Sequence, residues 1–239
     1  MSSIFYPANE RGHVQFDWLD TYHSFSFGQY HDPTKIHFGA LRVLNDDKID
    51  AGMGFGTHPH DNMEIITIPL FGDLHHRDST GRDCIIKEHD VQIMSAGSGI
   101  QHSEVNPNKD KRVELFQIWI FPKERNITPR YDQKSFLPED RVDQLLTVVS
   151  PNDPGTLIIN QDAWLSLGHF KKPFSTNYAM HQAGQGLFAI CIEGTCTVGG
   201  QILGRRDAVG ISGVEAVQME AAAGSDLLLI EIPHFTTKG

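Results

Sequence analysis

Short apolar runs, each bounded by a turn-forming residue, recur along almost the whole chain. They include ITIPLF, LFQIWIF, LLTVVS, LFAICI and LLLIEIP, which are rich in β-branched and aromatic side chains. Runs this short that end at Gly, Asp, Asn or Pro are typical of β-strands, and 22 glycines and 12 prolines supply the turns. Few stretches show a 3.6-residue apolar repeat, so we expect at most short helical connectors, such as residues 139–146. The pattern predicts an all-β chain folded as a sandwich or barrel.

One polar segment, PKERNITPRYDQKSFLPED, interrupts this pattern near the middle of the chain. On each side of it a strand, a glycine turn, a hairpin and a final apolar strand follow in the same order. Such weak internal similarity indicates a duplicated β-barrel. We therefore predict two domains in tandem, residues 1–130 and residues 131–239.

The charge and cysteine content bear on partners and compartment. The formal net charge is −10, which argues against nucleic acid or an anionic membrane as the main partner. No apolar run approaches the roughly 20 residues of a membrane span, and the N-terminus lacks the regions of a secretory signal. The chain has three cysteines, an odd number, and no two of them form a CxxC motif. A reducing, cytoplasmic location is the expectation.

Two histidines stand one residue apart in the segment GFGTHPHDNME, residues 54–64. Along an extended strand, residues i and i+2 face the same side, so His58 and His60 would both point inward. Pro59 would face away, and it also keeps His58 extended. The two imidazoles could then share a metal ion, although a partner strand must complete the ligand set. A pair of hydrogen-bonded histidines at a barrel mouth is the alternative.

The segment SAGSGIQHSE, residues 95–104, offers that partner strand. His102 and Glu104 repeat the i, i+2 spacing after a glycine-rich turn. Three imidazoles and one carboxylate would suit Fe(II), Mn, Ni or Cu better than a closed thiolate zinc site. We expect one divalent transition metal per chain, Fe2+ first, with Mn, Ni, Cu, Zn and Co as alternatives. Glu64 also has even spacing from His60, so it stays an alternative carboxylate ligand, while the second predicted domain contains no such cluster.

Several other residues could have either a structural or a functional role. His75 and His76 fit a solvated hairpin pair better than a second metal site, and Arg205 and Arg206 fit a hairpin surface better than an anion site. The aromatic residues of HSFSFGQY, Phe25, Phe27 and Tyr30, could wall a pocket, although ordinary core packing is the favoured interpretation. The histidines of the N-terminal arm are expected to make structural hydrogen bonds.

Several of these segments together resemble a known protein family. Residues 52–64 match the first cupin motif, G-x5-H-x-H-x3-E, and residues 99–106 match the end of the second. The segments THPHDNMEI, IMSAGSGIQHSE and QIWIFPKERNITPRYDQKSF resemble the pirin family, in particular its bacterial two-cupin members. Val91 and Gly97 stand where the general second motif prefers glycine and proline. The resemblance implies two RmlC-like jelly-roll barrels in tandem, a bicupin, with the metal site in the first.

The resemblance also implies a ligand set and an activity. Pirin-like proteins use the glutamate two residues after the third histidine, which is Glu104 here, rather than Glu64. Members of the family are described as quercetin 2,3-dioxygenases, so a small aromatic, flavonol-like substrate and O2 are the expected partners. Glu104 would accept the proton of the flavonol 3-hydroxyl, and ring opening would release carbon monoxide.

Two other functions stay open at this point. The first is a non-enzymatic, metal-dependent regulatory or protein-interaction cupin, with iron as a redox switch and a protein as the partner. The second is a cupin isomerase or sugar-binding barrel, which would not need three inward histidines. Hydrolases on α/β barrels also begin with HxH, but they require βα repeats that this chain lacks.

Overall fold

The computed structural model describes residues 1–234, which are built almost entirely from β-strands. The strands that precede the polar segment or lie within it are β1 (Ser2–Tyr6), β2 (Gly12–Gln15), β3 (Leu19–His23), β4 (Leu41–Ile49), β5 (Gly54–His60), β6 (Glu64–Phe71), β7 (Leu74–Asp78), β8 (Asp83–Ile86), β9 (Asp90–Ser95), β10 (Ile100–Val105), β11 (Val113–Ile120) and β12 (Arg130–Ser135). Those that follow are β13 (Leu145–Ser150), β14 (Leu157–Ile158), β15 (Trp164–Phe170), β16 (Phe174–Ala179), β17 (Gln185–Glu193), β18 (Cys196–Val198), β19 (Gln201–Leu203), β20 (Ala208–Ser212), β21 (Ala216–Ala221) and β22 (Ser225–Pro233).

Two single turns of 3-10 helix, Ala8–Glu10 and Pro138–Arg141, are the only helical segments within residues 1–234. The prediction of an all-β chain is confirmed. The helical connector expected at residues 139–146 is wrong beyond its first turn, because the chain enters β13 at Leu145, where apolar side chains pair with β15. No helix among the described residues has the length and apolar character needed to cross a bilayer.

Each half consists of a seven-stranded sheet with a four-stranded sheet laid over its outer face. In the first half the sheet orders are β12-β9-β6-β11-β4-β3-β2 and β5-β10-β7-β8, and in the second they are β1-β20-β17-β22-β15-β13-β14 and β16-β21-β18-β19. The two halves therefore repeat one architecture. Within the second half, the space between the sheets is filled by apolar side chains, including those of Phe170, Leu187, Met219 and Leu229.

The halves exchange strands across the predicted boundary at residue 130. Strand β1 pairs with β20 of the second half, from Ser2 opposite Ser212 to Tyr6 opposite Ala208. Strand β12 begins at Arg130 and pairs with β9 of the first half. A domain boundary at residue 130 would thus assign β12 to the second domain, although it pairs within the sheet of the first. Pairing partners so distant in sequence leave no local signal in the residues themselves.

The two seven-stranded sheets pack face to face, and this contact explains the apolar runs in the sequence. A single core cluster contains Ile66, Phe116 and Ile118 from the first half together with Phe188 and Ile230 from the second. The central strands are covered on both faces, by the other half on one side and by their own small sheet on the other. Strands buried on both faces read as continuous apolar runs rather than as alternating ones.

Arg206 joins the two halves. Its side chain is buried, its Nε donates to Asp46 Oδ2 at 2.8 Å, and Asp46 lies on β4 of the first half. The prediction of a hairpin-surface arginine is therefore wrong for Arg206, because the turn that carries it packs against the other half. Arg205 is exposed and pairs with Glu193, in agreement with that prediction.

Candidate metal centre

The extended geometry of β5 brings His58 and His60 to one face of the small sheet. His58 and His60 are half-buried, whereas Thr57, which precedes them, and Pro59, which lies between them, are exposed. The two imidazole centroids lie 4.8 Å apart. The Nδ1 of His58 donates to the carbonyl oxygen of Gly56 at 2.8 Å, which leaves Nε2 as the free lone pair.

Strand β10 lies antiparallel to β5 and places His102 directly opposite His58. The centroid of the His102 ring is 4.4 Å from that of His58 and 4.8 Å from that of His60. One potential ligand atom from each of the three histidines lies within 4.8 Å of the others. The structure thus brings together the three histidines that the sequence singled out.

Gly54 allows the two strands to approach each other at this point. A Cβ at position 54 would lie 2.2 Å from the carbonyl oxygen of Glu104, a distance that no side chain tolerates. The pairing register shifts between His102 and Glu104, where β5 has one residue more than β10, so β5 bulges between Phe55 and His58. The glycine that begins β5 is therefore a requirement of the site's geometry.

Glu104 is buried beside His102, and its carboxylate is held from the floor of the site. Gln117 Nε2 on β11 donates to both Glu104 oxygens, at 3.1 and 3.0 Å, and Thr67 Oγ1 lies 3.4 Å from Oε1. Glu104 also lies close enough to His102 and His76 for the three to form a potential ligand group. His102 therefore belongs to both groups, the one with His58 and His60 and the one with Glu104.

Glu64, the alternative carboxylate, faces the other way. Strand β5 ends at His60 and β6 begins at Glu64, and between them Asn62 adopts a left-handed φ of 46°. This turn breaks the even spacing on which an inward Glu64 depended. The Glu64 carboxylate instead accepts from Ser95 Oγ at 2.8 Å and from the backbone NH of Asn160 at 3.1 Å. Burial raises the pKa of Glu64, and its side chain does not line the cavity into which His58, His60 and His102 point.

His76 corrects a prediction made from the sequence. It is fully buried, with its ring centroid 5.3 Å from that of His102, so the expected solvated hairpin pair is wrong for this residue. Its Nε2 lies 2.9 Å from Asp78 Oδ2, and its Nδ1 has no hydrogen-bond partner within residues 1–234. His75 points to the opposite face and pairs with Asp83 at 2.6 Å. Adjacent residues on a strand must face opposite sides, a signal that could have placed one of the two histidines inside.

Burial keeps the imidazoles of His102 and His60 neutral, and His102 lacks hydrogen-bond partners within residues 1–234. Neither ring nitrogen of His102 has a hydrogen-bond partner within the described chain, although both are buried. Burial, with the charges of neighbouring histidines, lowers the pKa of His102 to about 3 and that of His60 to about 4. A buried polar atom without a partner is costly, and a neutral imidazole offers the lone pair that a metal requires. The donor set therefore fits a divalent transition metal.

The histidines lie at one end of a cavity of about 460 Å3 between the two sheets of the first half. Five aromatic residues contribute to its walls, namely Phe16, Trp18, Phe27, Phe55 and Trp119. The Trp119 ring meets His60 edge-to-face at 4.9 Å and meets Phe27 in the same way at 5.2 Å. Such a shape can hold a flat aromatic molecule next to the histidines.

Of the aromatic residues in HSFSFGQY, only Phe27 lines this cavity; Phe25 lies in the core between the halves, and Tyr30 packs over Gly12. Three histidines of the N-terminal arm make the expected structural hydrogen bonds: His13 with Asp20, His23 with Asn45, and His37 with the carbonyl oxygen of Gly39. His23 lines the cavity in addition.

Two polar positions in the wall escaped the sequence reasoning. Asp47 on β4 is buried, and burial raises its pKa to about 7, with Asp46 and Glu104 adding to the effect. Gln117 lies within the apolar run LFQIWIF. A polar residue inside a run that is otherwise apolar is the signal that could have identified Gln117, whereas Asp47 lies in the polar stretch NDDK and carries no such signal.

Comparison with known proteins agrees with this geometry. The pirin family model matches residues 6–120, and the model described as the quercetinase C-terminal cupin domain matches residues 147–232. The quercetin 2,3-dioxygenase of Escherichia coli (strain K12) is 42% identical over 229 residues, which cover 95% of this chain and 96% of that protein.

Two crystal structures extend the similarity to three dimensions. YhhW from Escherichia coli is 40% identical, with a TM-score of 0.93 over 98% of this chain and 99% of that one. The bacterial pirin YhhW in complex with nickel(II) gives a TM-score of 0.92 over 98% of this chain and 100% of that one. The prediction of two cupin domains in tandem is confirmed.

Proposed function

This chain belongs to the pirin family, and from that premise we propose that it is a quercetin 2,3-dioxygenase-like enzyme. It would use a bound divalent metal and O2 to open the central ring of a flavonol. One observation carries the proposal: three imidazoles and a buried carboxylate line one cavity together with five aromatic side chains. A related protein named quercetin 2,3-dioxygenase at 42% identity gives further support.

We assign His58, His60, His102 and Glu104 as the ligands. A divalent metal held there would orient the substrate oxygens and O2 and would stabilise developing negative charge. Fe2+ is the first expectation, and the nickel(II) complex of a related pirin supports Ni2+ as a second; Mn, Cu, Zn and Co suit the same donors.

Glu104 is the proposed general base. Its carboxylate is the acceptor best placed to take the proton of a flavonol 3-hydroxyl that enters the aromatic cavity. Gln117 holds both carboxylate oxygens, so Glu104 is oriented before the substrate arrives. Loss of the hydroxyl proton leaves an electron-rich flavonolate, which is the form that reacts with O2.

The chain's own residues also select the substrate. Phe27, Phe55 and Trp119 offer apolar faces and edges to the rings of a flat aromatic molecule. By filling the space around the rings, these side chains would exclude water from the reacting atoms.

The net charge of −10 and the three free cysteines support the rest of the proposal, namely no direct nucleic-acid partner and a cytoplasmic location.

Oxygen uptake by metal-loaded protein with a panel of flavonols tests this function. Wild-type protein should consume O2 only when both metal and flavonol are present. The variant His102→Ala should lose bound metal and uptake together, whereas His75→Ala, on the exposed side of β7, should keep both. Uptake by metal-free protein would contradict the proposal. Metal binding without uptake on any flavonol would favour the non-enzymatic, regulatory alternative instead.

A further inference from the structure

A second cavity, of about 560 Å3, lies between the two halves. It lies on the face of β6 that carries Ile68 and Leu70, whereas Ile65 and the metal cavity lie on the opposite face. We call it the interdomain cavity. Its apolar floor comes from both halves and consists of the buried side chains of Ile68, Phe136, Leu167 and Ile192. The proposed reaction makes no use of this space.

Every carboxylate that lines the interdomain cavity is already engaged by a donor of the protein. Asp90 accepts from Ser135 Oγ and from the backbone NH of Lys87, Glu114 pairs with Arg112, Glu193 pairs with Arg205, and Asp226 pairs with His169. No carboxylate of the cavity wall among the described residues is therefore left without a donor, so the cavity offers little to a cationic ligand.

The buried polar group of the cavity wall that lacks a hydrogen-bond partner in the described part of the chain is the guanidinium of Arg141. Arg141 follows β12 and lines the cavity, with only 12% of its side chain exposed. Its Nε is buried and has no acceptor within residues 1–234. The nearest carboxylate oxygen, Asp226 Oδ1, is 4.0 Å from Arg141 Nη1, beyond hydrogen-bond distance, and is already bonded to His169 Nδ1 at 2.9 Å. A largely buried guanidinium whose buried Nε donor has no acceptor is a group that a ligand can satisfy.

The other two arginines of the wall, Arg206 and Arg112, do not compete for this role. Arg206 is committed to Asp46 at 2.8 Å and to the carbonyl oxygen of Ile192. Arg112 lies at the rim, 54% exposed, and pairs with Glu114 at 2.8 Å. Arg141 is therefore the guanidinium in this cavity wall whose planar donor fork can still accept a bidentate partner.

We propose that the interdomain cavity binds a small carboxylate with an apolar body, such as an aromatic acid. The carboxylate would lie on the guanidinium of Arg141, and the ring would rest on Ile68, Phe136 and Leu167. A compact anion without an apolar body would leave the floor uncovered, and a neutral aromatic molecule would leave Arg141 unsatisfied. The two requirements together define the ligand class.

Calorimetric titration of metal-loaded protein with benzoate tests this ligand class. Benzamide, which keeps the ring and lacks the charge, and acetate, which keeps the charge and lacks the ring, should each bind at least about 10-fold more weakly than benzoate. Arg141→Gln should weaken benzoate binding about 10- to 100-fold. The matched control Arg112→Gln, at the exposed rim, should leave the affinity within about 2-fold of wild type. Equal affinities in wild type and Arg141→Gln would overturn the proposal.

The position of the ligand separates this cavity from the metal centre, to which a carboxylate could also bind. Crystals of the metal-loaded wild-type protein soaked in 4-bromobenzoate should show anomalous bromine density in the interdomain cavity, with the carboxylate on Arg141. Bromine density at the metal centre alone, or at neither site, would overturn the proposal. This measurement uses the wild-type chain, so it decides the question even if Arg141→Gln fails to fold.

Discussion

Gln117 donates through Nε2 to both carboxylate oxygens of Glu104, at 3.1 and 3.0 Å. Both side chains are buried, and β10 and β11, which carry them, belong to different sheets. The contact therefore bridges the two layers of the first half at the candidate metal centre. It holds the carboxylate beside His102, oriented for the two roles proposed, metal ligand and base.

Replacement of Glu104 separates these two roles. In Glu104→Gln the amide keeps an oxygen ligand but cannot take up the substrate proton. We expect part of the metal to be retained and turnover to fall about 10²- to 10⁴-fold, the contribution of a general base. Metal analysis and steady-state oxygen uptake on the same preparation measure both quantities. Glu64→Gln is the control, because Glu64 faces away from the cavity and should affect stability rather than metal content or turnover.

Gly54 should be irreplaceable, whereas Gly56 on the same strand should not be. A Cβ at position 54 would lie 2.2 Å from the carbonyl oxygen of Glu104, while a Cβ at position 56 would meet nothing within 4 Å. Gly54→Ala should push β5 away from β10 and weaken metal binding about 10- to 100-fold, as for other supporting residues of metal sites. Gly56→Ala should bind metal as wild type does. Competition with a chromophoric chelator measures both affinities, and similar values for the two variants would refute this view of the strand contact.

The histidine cluster should make the metal-free protein less stable in acid. Burial lowers the pKa of His60 to about 4, below its ordinary value of 6.5. Between these values the unfolded chain binds a proton that the folded chain does not, so this contribution to stability is lost as the pH falls from about 6.5 to 4. The free energy of unfolding of wild type minus that of His60→Gln should therefore decrease over this range. Asp47, whose raised pKa acts in the opposite direction, is present in both proteins and cancels.

Urea denaturation at several pH values between 4 and 7.5, with both proteins free of metal, supplies this difference. A difference that stays constant, or that increases as the pH falls, would mean that His60 is not held neutral by its surroundings.

The neighbours Arg205 and Arg206 should differ sharply in their effect on stability. Arg206 is buried between the halves on Asp46, so Arg206→Met leaves that carboxylate with only Arg11, at 3.3 Å. The expected cost is about 3–5 kcal/mol, as for other broken buried ion pairs. Arg205 is 54% exposed on Glu193, and Arg205→Met should cost about 0–1 kcal/mol. Urea denaturation provides both values, and equal costs would show that the Arg206 pair does not hold the halves together.

The local pattern of the sequence was sufficient for the strands and for the spacing within the candidate site. The short apolar runs mark strands such as β6, β11, β17 and β22, and the i, i+2 spacing places His58 with His60 and His102 near Glu104. These features depend on residues adjacent in sequence, whose relative directions a strand determines.

Features that depend on distant pairing were not predictable in this way. The exchange of β1 and β12 between the sheets, the burial of Arg206 on Asp46 and the position of His76 behind His102 all involve partners far apart in sequence. The alternative of Glu64 as a ligand required an unbroken strand, and the turn at Asn62 interrupts the strand before that residue. Gln117 is visible as a polar residue inside an apolar run, whereas Asp47 lies in the polar stretch NDDK. The residues that the two face could not be identified without the sheet order.

The central claim, a metal-dependent 2,3-dioxygenase reaction in the cavity of the first half, is tested most directly by product stoichiometry. Metal-loaded wild-type protein is supplied with quercetin, and the O2 consumed and the carbon monoxide released are measured together. Ring opening predicts equimolar amounts of the two gases, and neither gas should change with metal-free protein. Consumption of O2 with hydrogen peroxide as the product and without carbon monoxide would contradict the account.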